Sequence, residues 1–313
     1  MIYNSEKKDI TMAFAGDVML TRRLSVFKEE RFLELRELLR GNEIAFANFE
    51  SNAREYDEGS PTHAEGTFMT TEPKLLDDLK WLGINIVSCG NNHASDYGEE
   101  GVMATIRHLD AAGIIHSGIG KNLRRARSPA YLDTAEGRIA LISSNSFFNK
   151  WSQASDQRPD FIGRPGVNPL GFQKSYIVDS QSIDDLKRIG AALGIESEKE
   201  RIRNFGFLSV SETGGIDSEK EYNFLGHKFQ IGDSFAIKTK ANEKDVAENL
   251  CQLREARRQA DWVIVSLHYH EMGGQSSLTA RKRSELEECA AFIRDFAHLC
   301  VEEGAVTMVN EDC

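Results

Sequence analysis

Residues 84–98 read INIVSCGNNHASDYG. The run is apolar at Ile84, Ile86, Val87 and Cys89, as a buried strand requires. It then breaks at Gly90 into two asparagines, His93 and, three residues on, Asp96. The residues that follow have helical spacing from about Glu99 to Ala112, with Gly113 as the stop. A buried strand, a polar turn and a helix make an α/β unit, and ligands of open α/β sheets bind beyond the carboxyl ends of the strands.

The same pattern recurs outward from this stretch. Strands are expected at Ile10–Ala15, Ile44–Phe49, Ile114–His116, Arg138–Ser143, Trp262–Leu267 and Val306–Val309. Helices are expected at about Glu29–Leu39, Pro73–Leu82, Glu243–Gln259 and Ser284–Glu303, Pro73 suiting a first turn. Alternating strands and helices predict an α/β fold. Three of the six prolines fall within Pro159–Pro169, and residues 145–234 read as an irregular insertion. The expectation is a single domain over 1–313, with its core at 10–144 and 235–313.

Composition sets the class. Hydrophobic residues make up 40% and charged residues 28% of the 313, as in soluble globular proteins. A net charge of −11, from 38 basic and 49 acidic residues, argues against general binding of nucleic acid or anionic membrane. The opening MIYNSEKKDITMAFAGDVML lacks an apolar signal region, and no run reaches the ~18 apolar residues of a spanning helix. The expectation is therefore no membrane segment. Five cysteines with no C-x-x-C pair suggest reduced thiols and a cytoplasmic location. Cys89 reads as a buried small residue rather than a nucleophile.

Four strand ends carry metal-capable side chains: Asp17, Glu50 after Asn48, Asn92-His93 with Asp96 behind, and His268-Tyr269-His270-Glu271. Each has an ordinary structural reading, as a turn, a helix cap or a hydrogen-bonded loop. Alternation along a strand puts His268 and His270 on one face. Convergence of the four on oxygen and imidazole donors favours a shared site for Mn, Fe, Zn or Mg. Arg22 and Arg23 closely follow the first of these ends, and Arg164 sits in a Gly/Pro-shaped loop, GRPGVNPLGF. Arg22 and Arg164 are candidates to bind an anionic substrate, since arginine suits carboxylate and phosphate. The Lys121, Arg124, Arg125 and Arg127 cluster reads more readily as a solvated helix face. Phe147-Phe148-Asn149-Lys150-Trp151 reads as packing beneath the insertion. His63, His108, His116, His227 and His298 read as ordinary structural or surface histidines.

In their order along the chain, AGDVML (15–20), ANFES (47–51), CGNNHASDYG (89–98), SGIGKN (117–122), GRPGVNPLGF (163–172) and VIVSLHYHE (263–271) resemble the CapA, or poly-γ-glutamate (capsule) biosynthesis, family. The resemblance implies a calcineurin-like metallophosphoesterase fold, a four-layer α/β/β/α sandwich. It implies metal ligation by Asp17, Glu50, Asn92, His93 and His268, with His270 a further candidate, and Asp96 orienting His93. One or two divalent ions, Mn, Fe or Zn, would be the cofactor. His93 or Glu271 would then handle the leaving-group proton. The activity expected is metal-dependent hydrolysis of an amide or phosphoester bond in an anionic small-molecule or polymer substrate such as a γ-glutamyl chain. The alternative is a non-catalytic factor in polymer synthesis or export.

Two positions depart from the family pattern. His270 stands where many relatives carry glycine. The last segment reads EEGAVTMVNEDC where relatives have a G-H-x-P-H-type segment, so the fold is expected to lack its C-terminal part. Asn310-Glu311-Asp312 falls at roughly that place.

Overall fold

A computed structural model describes residues 9–62, 67–205, 217–271 and 289–312. They form a mixed α/β structure that divides into two compact units. The first comprises residues 1–171, 243–270 and 296–313, and the second 172–242 and 271–295. Residues 145–171, the head of the stretch read as an insertion, thus lie in the first unit.

Two sheets organise the first unit. One is all parallel, in the order Met12–Val18, Ile44–Phe49, Ile86–Ser88, Ile115–Ser117. The other runs Thr307–Asp312, Trp262–Tyr269, Gly137–Asn145, Ala130–Thr134, and only its last pair is antiparallel. The strand IAFANF explains how they pack. Every residue of it is buried, as expected of a strand covered on both faces. Its alternate side chains enter different clusters. Ile44 and Phe46 join Ile86, Ile139, Leu141, Trp262 and Ile264, an apolar layer shared by the two sheets. Ala45, Ala47 and Phe49 turn the other way, against Leu75, Leu76, Leu79, Val102 and Leu109.

Those last residues belong to helical segments, namely a 3₁₀ turn at Pro73–Leu75 leading into Leu76–Leu82, and the Gly98–Ala112 helix. Gly113 ends the latter at φ 68°, the left-handed cap that the sequence anticipates. Asp78, 1% exposed, accepts hydrogen bonds from the backbone N–H groups of Leu24 and Ser25 and from Ser25 Oγ, so it pins the loop after the first strand. The Glu243–Arg257 helix packs against the Gly137–Asn145 and Trp262–Tyr269 strands and buries Leu250, Leu253 and Ala256.

The second unit corrects the reading of 145–234 as irregular. Its sheet runs Glu221–Phe224, His227–Ile231, Phe172–Val178, Ala236–Ala241, with one parallel pair. Helices Ser180–Ala192 and Ile195–Phe205 accompany it, the first capped by Asp179 accepting from Ser182 N at 2.8 Å. Val178, Ile183 and Tyr222 form its core.

Other bounds shift for physical reasons. The first strand was expected to stop at Ala15. It runs on to Val18, with a register irregularity between Phe14 and Asp17, so Asp17 lies within the ladder rather than in a turn. The last helix is described as Ala291–Glu302, and the expected start at Ser284 lies outside the described residues. The final strand continues past Val309 to Asp312. No helix among the described residues is long and apolar enough to cross a membrane.

Candidate metal centre

The carboxyl ends of the central strands of both sheets meet at a group of buried polar side chains. The alternation that sends Ile44 and Phe46 towards the second sheet does the same for Asn48, and Trp262 and Ile264 do it for His268. Both are 0% exposed. The Asn48 Nδ2 donates to Asp17 Oδ1 at 2.7 Å and stands 3.3 Å from His268 Nδ1. Asn48 Oδ1 in turn accepts from Asn91 Nδ2 at 3.0 Å. Asn91 also donates to the Phe49 carbonyl at 2.9 Å, which ties the third strand's turn to the second strand.

Glu50 is the middle of the group. Its side chain is 2% exposed, and its Oε1 lies 3.8 Å from His93 Nε2 and 3.7 Å from His268 Nε2. Both distances exceed hydrogen-bond reach. They are close to the separation of about 3.4 Å between two donors of one tetrahedral metal. On the far side of its ring, His93 Nδ1 bonds Asp96 Oδ2 at 2.8 Å, and that carboxylate is itself held by the Met69 N–H at 2.7 Å. Asp96, 3% exposed, therefore fixes both ring orientation and tautomer, leaving Nε2 with its lone pair towards Glu50.

Gly90 owes its identity to close packing. A Cβ there would meet Ser143 Oγ at 2.7 Å and the Ser144 backbone at 3.2 Å, so the glycine lets the third strand's end lie against the second sheet.

The two imidazoles titrate in opposite senses. Burial pushes His93 down, but the Asp96 hydrogen bond and the charges of Asp96, Glu50 and Asp17 outweigh it, so its pKa sits above the usual 6.5. In the metal-free protein that contribution to stability is full below 6.5 and fades as pH rises through the raised value. Burial takes His268 down to about 4; Asp17 opposes the shift, and His270 and His93 add to it. His268 is neutral at ordinary pH, the form that binds metals. An NMR titration of Asp96→Asn checks the His93 argument. Its midpoint should fall below that of the parent protein, because the Asp96 charge and its hydrogen bond to the ring are lost or weakened while burial stays. An unchanged midpoint would show that Asp96 does not govern the ring.

The donor set is of the chemical kind that divalent metals take. It mixes carboxylate and imidazole, and one of its atoms, His268 Nε2, is buried without a hydrogen-bond partner among the described residues, as is Oδ1 of Asn92, the residue before His93. Orphaned buried polar atoms call for an explanation, and an ion is one. The cage is gathered rather than closed, since no three His, Cys, Asp or Glu side chains among the described residues already stand at ligand spacing. Asn48, as a donor, makes His268 Nδ1 an acceptor and puts the ring proton on Nε2. A cation at Nε2 would require the neutral ring to shift its proton to Nδ1, with no net proton released.

The remaining candidates divide. His270 lies beside His268, ring centroids 5.3 Å apart, and stacks on Phe147 at 4.3 Å. Glu271 opens a segment of the second unit, whereas the side chains just described belong to the first. Arg22 is exposed. Arg164 spends donors on the Gln153 and Lys150 carbonyls, yet it also lines a cavity of about 570 Å³ with Ser95, Asn149 and Trp151. Trp151, at 78% exposed, and Phe147, at 42%, are not the buried packing that the sequence suggested. Cys89 is buried, as expected. The backbone register of the last strand sets Glu311 opposite His268. Sequence reasoning missed Asn48 and Asn91 as site residues. The signal was available in the first case, as an amide inside an otherwise apolar strand.

A family model described as bacterial capsule synthesis protein PGA_cap matches residues 11–309. "Uncharacterized protein y4sH" of Sinorhizobium fredii (strain NBRC 101917 / NGR234) is 31% identical over 303 residues, covering 96% of this chain and 60% of that protein. "Capsule biosynthesis protein CapA" of Bacillus anthracis is 22% identical over 174 residues, 54% of this chain and 42% of its own length. "PGA biosynthesis protein CapA" of Bacillus subtilis (strain 168) is 24% identical over 159 residues, 49% of this chain and 42% of its own. The chain thus matches 60% or less of the length of each of these relatives.

Proposed function

The chain belongs to the PGA_cap family of bacterial capsule synthesis proteins, and from that membership we propose that it is a metal-dependent hydrolase. Its substrate in this reading is an anion such as a γ-glutamyl chain, cut at an amide or phosphoester bond. The observation that carries the reading is the Glu50 carboxylate set between two imidazole nitrogens at 3.7 and 3.8 Å, too far for hydrogen bonds. The fold proposed is the four-layer α/β/β/α sandwich, in which the two facing sheets would each carry helices on the outer side.

Asp17, Glu50, Asn92, His93 and His268 would hold the metal, with His270 completing the set. When bound, one or two ions of Mn, Fe or Zn would polarise the scissile group and acidify a water. The chain's own contribution is positioning. Asp96 keeps the His93 ring in one tautomer, and Asn48 sets Asp17 and His268 relative to each other. Burial keeps His268 neutral. With Nε2 turned to the metal and Nδ1 held by Asp96, His93 would act as a ligand and not as the carrier of the leaving-group proton. Arg164, at the cavity beside Ser95, would meet negative charge on the substrate.

The printed names of the two Bacillus relatives speak of biosynthesis, which favours a second reading, a non-catalytic factor in making the polymer. One experiment separates the two. Protein purified without chelator is assayed for Mn, Fe and Zn by elemental mass spectrometry, then for hydrolysis of p-nitrophenyl phosphate and a γ-glutamyl peptide. The hydrolase reading expects at least one equivalent of metal and turnover of one substrate. Metal-free protein that takes up no added Mn²⁺ or Zn²⁺ would sink it, and metal without turnover would leave the biosynthetic factor.

A further inference from the structure

We propose that a cavity of about 370 Å³ in the first unit is a second binding site, for a small organic anion that carries an apolar segment. It is lined from the Gly98–Ala112 helix, the Ile115–Ser117 edge strand and the short Leu123–Arg127 helix. None of its lining residues belongs to the metal centre, so the inference does not depend on the hydrolase reading.

The lining has two chemistries. Ile106 and Ile119 are apolar and pack with the helix-side core. Lys121 and Arg125 are exposed cations, and neither has an ion pair among the described residues. That is a contrast within one basic run, because Arg127, two residues on, is buried and paired with Asp245. The solvated-face reading of 121–127 thus fails at Arg127 and holds at Lys121, Arg124 and Arg125, which are exposed. In a chain of net charge −11, two cations left over an apolar pocket suit a ligand anion.

His116 supplies the third feature. Its Nε2 lies 3.1 Å from Asp110 Oδ1, the one carboxylate of the lining, which keeps its charge beside the two cations. Its Nδ1 is buried with no hydrogen-bond partner among the described residues. With Nε2–H donating to Asp110, Nδ1 is an acceptor enclosed by the protein, and the ring itself is what lines the cavity. The volume falls in the range of roughly 300–1,000 Å³ typical of small-molecule pockets. A carboxylate and a phosphate monoester share this chemistry, and the experiment distinguishes them.

The test is isothermal titration calorimetry on the full chain in EDTA, with phenyl phosphate, phenylacetate, inorganic phosphate and benzyl alcohol as probes. One of the two aromatic anions should bind at one site per chain, tighter than inorganic phosphate, and benzyl alcohol should give no heat. Lys121→Ala/Arg125→Ala should weaken that binding at least tenfold. Lys174→Ala/Lys238→Ala, which removes the same charge from exposed positions elsewhere, should leave it unchanged, as should Asp17→Ala. Thermal melts confirm that each variant is folded. Binding by neither aromatic anion would overturn the proposal. So would equal loss in the two double variants, which would mean general electrostatics, or loss in Asp17→Ala, which would assign the heat to the metal centre.

Discussion

Glu50→Gln protein, purified beside the parent without chelator, is expected to carry no bound metal and to show no hydrolysis above background. The substitution keeps the shape of the side chain and removes its charge. It acts at the point where His93 Nε2 and His268 Nε2 both approach within 3.8 Å. Loss of an outer partner to a metal ligand costs about 10–100-fold in affinity, and loss of a central carboxylate ligand should cost more than about 100-fold. The fold should survive. Glu50 is buried, and a neutral amide there is cheaper to desolvate than a carboxylate. The measurements are elemental mass spectrometry on both proteins, followed by titration of each with Mn²⁺ and Zn²⁺. Equal metal in the two would remove Glu50 from the ligand set and take the observation under the hydrolase reading with it.

The second large effect is on stability. Phe46→Ala should destabilise the first unit by about 3–5 kcal/mol, the usual cost of emptying a fully buried aromatic site. Phe46 is 0% exposed and sits in the apolar layer that both sheets share, its ring 5.7 Å from that of Phe14. Deleting it leaves a void that neither sheet can fill without moving its neighbours. Trp151→Ala is the control. It removes a larger side chain that is 78% exposed and should shift stability by no more than about 0.5 kcal/mol. Urea unfolding followed by circular dichroism reads both. A Phe46→Ala midpoint no lower than that of Trp151→Ala would mean the sheets do not depend on each other through this layer.

Ile44–Phe49 was anticipated at its observed bounds, because a six-residue apolar run between turn signals has few other uses. The helix ending at Gly113 was legible for a similar local reason, the left-handed cap. What stayed hidden was non-local. Asn48 acquires its role from His268, 220 residues away in sequence, and an asparagine in a strand announces no partner. The extension of the first strand through Asp17 depends on pairing with Asn48, which rescues a Gly-Asp pair from the turn that local propensity suggests. The second unit was missed although its pattern was present. Phe172–Val178 places exposed Gln173 and Lys174 inside a strand, and Ser180–Ala192 buries only Ile183 and Gly190 fully. Elements with so thin an apolar face resemble loops until their neighbours are known.

The strand that sorts Ile44 and Phe46 from Ala45, Ala47 and Phe49 also carries Asn48 to the centre and ends beside Glu50. Structural core and chemical group are thus spelled in the same two-beat frame. A substitution alters one letter, and its neighbours can absorb the change. An insertion or deletion of one residue between Ile44 and Phe49 shifts the frame. It would turn the aromatic side chains out of one layer into another and swing the amide away from Asp17 in the same stroke. Length, more than composition, is what this segment cannot vary.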